Sequence, residues 1–160
     1  MIVRKATHAD VSACAEIYKK AKQFMRECGN ATQWLGEYPN EVDVIEDIKN
    51  GVGYVAEDEG EVVAVFAFIK GNEPTYDKIY DGAWLSDAPY GFVHRIAVGR
   101  HGRGVGEACL NFCFSEMPNI RIDTHENNKP MQRLLQKNGF TRCGIIYLEN
   151  GDPRVAFQKI

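Results

Sequence analysis

The chain has 160 residues, 44% hydrophobic and 26% charged, enough apolar material to bury a sizeable core, so residues 1–160 are expected to fold as one domain. Nineteen Lys and Arg against 22 Asp and Glu leave a formal charge of −3, which excludes a dedicated nucleic-acid surface, because phosphate neutralisation needs a basic one. With no long apolar run and no leader-like stretch behind Met1, no membrane partner is expected and the cytoplasm is the default compartment.

Ile2–Lys5 alternates as a short strand, and Thr7-x-x-Asp10 is a capping-box signature that starts a helix. Val11, Cys14, Ile17, Tyr18, Ala21, Phe24, Met25 and Cys28 then recur at three and four residues until Gly29-Asn30, the spacing of one helical face. After an aromatic segment, Asn40 caps a second helix through Lys49, with Val44, Ile45 and Ile48 expected to point inward. Residues 53–57 and 62–69 are β-branched and aromatic runs separated by Asp58-Glu59-Gly60-Glu61, which predicts an antiparallel hairpin. The stretch Gly71 to Tyr90, rich in Tyr, Trp, Asp and Pro, is long for a loop inside a compact domain, and such loops are usually functional.

Residues 92–98 return to strand character, a helix is predicted from Gly104 to Met117, and 120–124 form another strand. Pro130 suits the first turn of a helix stopped by Asn138-Gly139, and 141–148 with 154–157 close the chain as a hairpin. The predicted order is β-α-α-β-β-β-α-β-α-β-β, an α/β (α+β) fold with a mixed, mostly antiparallel central sheet flanked by helices. Five cysteines, at 14, 28, 109, 113 and 143, include no Cys-x-x-Cys and fit neither a disulfide framework nor a zinc site, so four or five reduced core residues and no metal are expected.

Chemistry concentrates in Ile96-Ala97-Val98-Gly99-Arg100-His101-Gly102-Arg103-Gly104-Val105-Gly106-Glu107, where a buried strand runs into alternate glycines and then a helix. Backbone N–H groups and the positive helix end converge there on one point, beside Arg100, His101 and Arg103, and should hold an anion. The loop lacks the Gly-Lys-Ser/Thr ending of a nucleoside-triphosphate loop, and it lies too late in the chain for a dinucleotide fingerprint.

With its loop His101-x-x-Gly104-x-Gly106 and the segment Asn128-x-x-Met131-x-x-Leu134-Leu135-x-x-x-Gly139-Phe140, the chain resembles the GNAT superfamily of acyl-CoA-dependent N-acetyltransferases. His101 stands where that family usually has Gln or Arg, and Leu135 where it usually has Tyr. The resemblance implies acetyl-CoA as cosubstrate. Backbone groups of Ile96, Ala97 and Val98 would meet the pantetheine arm and thioester, Arg100, His101, Gly102, Arg103, Gly104, Val105 and Gly106 the pyrophosphate, and Asn128, Met131 and Leu135 the flank of the cofactor.

Transfer to an amine needs a neutral nucleophile, a polarised carbonyl and a leaving thiolate. An aliphatic amine of pKa about 10 is almost wholly protonated near neutrality, so a base or a desolvating site is required. His94 is the candidate, expected to share a strand face with Ile96 and Val98; the Val98 N–H would polarise the carbonyl. With leucine at 135, Tyr147, Cys143 or a water is left to protonate the thiolate. Glu73, Asp77, Asp81 and Asp87 with interleaved Tyr76, Tyr80, Trp84 and Tyr90 suit a cationic amine, small or on a protein, and Trp34, Glu37 and Tyr38 would form the opposite wall. A monomer or homodimer is expected. The alternative is a non-catalytic acetyl-CoA-binding regulatory module of the same fold.

Overall fold

The computed structural model describes residues 1–160. Its elements are β1 (Ile2–Lys5), α1 (Val11–Glu27), α2 (Glu41–Lys49), β2 (Gly53–Asp58), β3 (Glu61–Lys70), β4 (Gly91–Val98), α3 (Val105–Glu116), β5 (Ile120–Thr124), α4 (Lys129–Lys137), β6 (Thr141–Tyr147) and β7 (Pro153–Lys159), with 3-10 turns at His8–Asp10 and Pro74–Tyr76. This is the predicted order. The strands form a seven-stranded sheet ordered β1-β2-β3-β4-β5-β7-β6, antiparallel throughout except between β4 and β5. No helix is long and apolar enough to cross a membrane.

Local sequence explains the helix starts. The Asn40 carboxamide accepts from the Val42 N–H at 2.9 Å, and Asp43 accepts from the Asn40 N–H at 2.9 Å, a complete capping box. Ahead of α1, Asp10 accepts the Thr7 N–H at 2.7 Å and a two-pronged ion pair from Arg4 at 2.8 and 3.0 Å. Asp10 is buried, and the Arg4 guanidinium holds its carboxyl below the ordinary carboxylate range. Asp10→Asn is therefore expected to cost about 1–2 kcal/mol, because it removes the charged acceptor of the Thr7 N–H and one of the two acids that Arg4 meets, Glu57 remaining at 2.9 Å. A depressed carboxyl stabilises the fold above its ordinary pKa of about 4 and loses that contribution as pH falls through the native value, so the gap between wild type and variant in urea midpoint should close in acid.

The sheet has two covered faces. Against one, α3 and α4 pack over Phe66, Phe68, Val93, Ile120, Ile122, Val155 and Phe157, the main core, in which Cys109 and Cys113 of α3 and Leu135 of α4 are also buried. Against the other, α1 and α2 cover Val55, Val65 and Ala97 through Cys14, Ile17, Tyr18 and Val44. Ile45, expected inward, is instead 42% exposed; the nine-residue α2 offers the sheet a narrow stripe, which Val44 and Ile48 fill.

The long segment before β4 covers the rest of that second face. Tyr76 and Tyr90 are buried with Phe92, Ile146 and Ala156, and the Tyr80 N–H and carbonyl both pair with Ile145 at 2.8 Å. Trp84 donates its indole N–H to the Tyr76 carbonyl at 2.9 Å, and Arg121 lies over the rings of Trp84 and Tyr90, 4.1 Å from each. Its aromatic residues are thus mostly packing groups.

Two irregularities open the sheet at its centre. First, β4 and β5 pair only at Gly91–Ile120 and Phe92–Arg121, then separate, so the edge of β4 facing β5 has no strand partner from Val93 to Val98. Second, β4 carries an extra residue: Ala67 is opposite His94, but Val65 is opposite Ala97. The bulge is at Arg95, which has φ +52°. It is pinned from outside the sheet, since the Tyr18 hydroxyl donates to the Arg95 carbonyl at 2.8 Å and Asp47 of α2 receives the Arg95 guanidinium at 2.6 Å through both oxygens.

Candidate functional site

A cavity of about 380 Å³ begins where β4 leaves β5 and runs to the start of α3. Ile96, Ala97, Val98, Gly102, Gly104, Val105, Gly106, Asn128 and Met131 line it, as do Phe24 and Met25 of α1 and Leu134 and Lys137 of α4. Gly102 and Gly104 have φ of +75° and +71°, a left-handed conformation that side chains disfavour, and it turns the chain so that α3 begins with its N–H groups facing the opening. No side chain caps α3, so its first N–H groups are available to an anion. Gly106 does a different job: a Cβ there would come within 2.8 Å of Leu134, so its bareness lets α4 pack against α3 and close the floor.

The basic residues of this loop are disposed otherwise than the sequence suggested. Arg100 lines the cavity, but its guanidinium is paired with Asp58 at 3.4 Å and with Glu61, both on the β2–β3 hairpin. Arg103 is exposed and does not line this cavity, while His101 stacks on Phe24 with ring centroids 4.7 Å apart. The favourable field for an anion therefore comes from the α3 N-terminus, with Lys137 and the His101 edge beside it.

Asn128 caps α4 by accepting the Met131 N–H at 3.1 Å, and its amide donates to Gln33 at 3.0 Å, so the structural and lining roles coincide. Leu135 is wholly buried in the main core and lines no cavity; Leu134, one residue earlier, takes the lining position. The expected cofactor contact of Leu135 is thus replaced by a packing role. Leu135→Tyr, the change that would restore the family's usual residue, is expected to overpack this core and cost about 1–3 kcal/mol rather than raise activity, measurable by urea denaturation.

A second cavity, of about 180 Å³, adjoins the first and shares Met25, Ile96, Asn128 and Met131 with it. It sits on the α1–α2 face of the sheet, walled by Trp34, Tyr38, Glu73, Thr75, Leu148 and the strand residues His94, Asp123 and Arg154. Strand register explains the meeting. His94 is opposite Ala67, Asp123 is opposite Ala156 and Arg154 is opposite Ile146, so all three project to the face covered by the long segment before β4.

The bulge corrects one expectation. By simple alternation His94 would share a face with Ile96 and Val98; the extra residue at Arg95 puts it with Ala97 on the other face. There the His94 ring meets Phe92 edge-on with centroids 5.0 Å apart, and its Nε2 is buried without a hydrogen-bond partner, 3.7 Å from a Glu73 carboxylate oxygen. Burial lowers its pKa below the ordinary imidazole value, against the opposing pull of Asp123 and Glu73. The Asp123 carboxyl is in turn raised by burial, and it accepts the Tyr76 hydroxyl at 2.6 Å.

Among the other sequence candidates, Trp34 and Tyr38 line this second cavity, whereas Glu37 lies in a separate depression with Lys19, Lys22 and Arg26. Trp84 lines neither cavity, being committed to Tyr76 and Arg121. Tyr147 is 45% exposed, packs edge-on against Tyr80 and also lines neither. Cys143 is buried on β6 with its thiol against the Thr141 carbonyl. Sequence reading missed Asp123, Arg154 and Gln33. The first two sit in segments read only as strands, and their shared destination depends on sheet order.

Residues 22–140 match the model of the acetyltransferase (GNAT) family. A GNAT-family acetyltransferase from Streptococcus agalactiae 2603 is 34% identical over 99% of this chain and 94% of its own, with a TM-score of 0.91. An acetyltransferase from Salmonella typhimurium, solved with its cofactor acetyl-CoA, shares the fold at 17% identity, covering 98% of this chain and 91% of its own with a TM-score of 0.63. A ribosomal-protein-alanine N-acetyltransferase from Brucella melitensis does so at 19% identity, covering 100% and 99% with a TM-score of 0.64. No curated protein sequence matches the chain. The splayed strands, the uncapped helix behind a glycine loop and the family match over most of the chain agree: this chain belongs to the GNAT family of acetyltransferases.

Proposed function

We propose that the protein transfers the acetyl group of acetyl-CoA to the primary amine of a small acceptor, by direct attack while both are bound. The observation that carries this reading is the adjoining pair of cavities, one ending at bare helix N–H groups and the other holding an unpartnered His94 Nε2. The glycine-framed start of α3 fits a pyrophosphate, and the free edge of β4 fits the amide-rich pantetheine arm, which can take the place of the missing strand.

In the proposed transfer, the amine nitrogen attacks the thioester carbonyl carbon, the C–N bond forms and the C–S bond breaks. The proton leaving nitrogen goes to His94 Nε2, directly or through one water. Its lowered pKa keeps the imidazole neutral near pH 7, as a base must be, and the nearby Glu73 and Asp123 favour the imidazolium once it forms. The Val98 N–H on the free edge of β4 would polarise the carbonyl. Neither Leu135 nor Tyr147 supports a role as proton donor to the leaving thiolate, so this reading has the thiolate depart unassisted or take its proton from water.

The lack of a tyrosine in the lining of the first cavity, where the thiolate would leave, also favours a second reading, a non-catalytic acetyl-CoA sensor. One experiment separates them: thiol release from acetyl-CoA against a panel of primary amines. Turnover of any amine supports the transferase. Acetyl-CoA binding without turnover across the panel would establish the sensor instead.

A further inference from the structure

Building on the proposed transfer, we infer that the acceptor is a small amino acid-like molecule, whose carboxylate is held by Arg154 while its amine faces His94. Arg154 is only 6% exposed and lines the second cavity. Its guanidinium bonds two backbone carbonyls, of Pro153 at 2.8 Å and of Gln33 at 3.3 Å, and has no carboxylate within ion-pair distance. Arg4, Arg95, Arg100 and Arg121 each meet an acid: Asp10 and Glu57, Asp47, Asp58 and Glu61, and Asp87. A buried cation without a counter-ion is costly, and an anion entering the cavity removes that cost. Asp123 feels the charge of Arg154 but stands outside ion-pair range, and one of its two oxygens is engaged by Tyr76.

The cavity is therefore two-signed. Arg154 offers a fork of donors suited to a carboxylate, whereas Glu73, Asp123 and the His94 ring offer acceptors suited to an ammonium that must shed a proton. A simple alkylamine would satisfy the second set and leave Arg154 bare. At about 180 Å³, the cavity has less than half the volume of its neighbour, which favours a small zwitterion over a long chain.

The test measures thiol release at saturating acetyl-CoA for the standard L-amino acids, each beside its carboxamide and its decarboxylated amine. At least one amino acid should exceed both of its partners in kcat/KM by about 100-fold. The carboxamide has the more weakly basic amine, so a preference for the acid runs against simple availability of free base. Arg154→Met should erase the preference and Arg154→Lys should keep part of it. Calorimetric titration of the best amino acid into CoA-saturated protein should show the same ranking without turnover.

Equal or better turnover of the uncharged partners, or a preference that survives Arg154→Met, overturns this assignment and leaves the transferase reading standing. If no amine of any kind is acetylated while acetyl-CoA binds, the transferase reading itself fails, and this inference with it. Should the Met variant not fold, the wild-type comparison of matched acceptors and the Lys variant still decide the matter.

Discussion

His94→Gln is expected to lower kcat by about 10²–10³-fold and to leave acetyl-CoA affinity largely unchanged. The expectation follows from position. Of the two adjoining cavities His94 lines only the second, so the substitution would remove the proposed base without touching the groove proposed for the cofactor. Glutamine fills similar space against Phe92, which separates loss of a proton acceptor from loss of packing. The pH profile supplies an independent reading. Burial puts the His94 pKa below about 6.5, so wild-type kcat should hold near neutrality and fall only as pH drops through that lowered value; the variant should lack this acid limb. A variant with wild-type kcat and an unchanged acid limb would falsify the base assignment.

Gly104→Asp is expected to weaken acetyl-CoA binding by at least about 10²-fold while the protein still folds. The residue has φ +71° at the N-cap of α3, with nothing within 4 Å of where a Cβ would project. Aspartate tolerates the left-handed conformation better than most residues, and its charge favours a helix N-terminus, so the cost to stability is small. The same carboxylate would stand where the pyrophosphate must sit. Two like charges about 4 Å apart near a protein surface repel by about 4 kcal/mol, enough for the predicted loss. Isothermal titration with CoA measures it, and a thermal melt of the free protein checks the fold. Unchanged affinity would remove the pyrophosphate from this loop.

The two predictions rest on parts of the site that differ in how visible they were before the fold was known. The start of α3 was legible because its signal is local: a strand, alternate glycines and a helix within a dozen residues already specify converging N–H groups. The helix cap at Asn40 was legible for the same reason. His94 was found by type and neighbourhood, but its face was misplaced, because the bulge at Arg95 is held by Tyr18 and Asp47, which are remote in sequence. Arg100 shows the reverse failure. Its charge suggested an anion partner, yet two acids of a distant hairpin already occupy it.

The segment from Gly71 to Tyr90 makes the point with composition. Its carboxylates and aromatics looked like a receptor for a cation, but Tyr76, Trp84 and Tyr90 turn inward to seal the end of the sheet, and only Glu73 and Thr75 reach the cleft. The overall charge of −3 likewise said nothing of a cavity that carries both signs.

Element order, strand and helix boundaries and the glycine loop before α3 follow from patterns repeated over a few residues, where apolar spacing and glycine conformation act within one segment. The second cavity does not. His94, Asp123 and Arg154 meet because β4, β5 and β7 are neighbours in the sheet although separated in the chain, because β4 parts from β5 after two residue pairs, and because one extra residue reverses a side chain's face. Those are long-range choices, made by packing of α1, α2 and the covering segment against the sheet, and no window of sequence contains them.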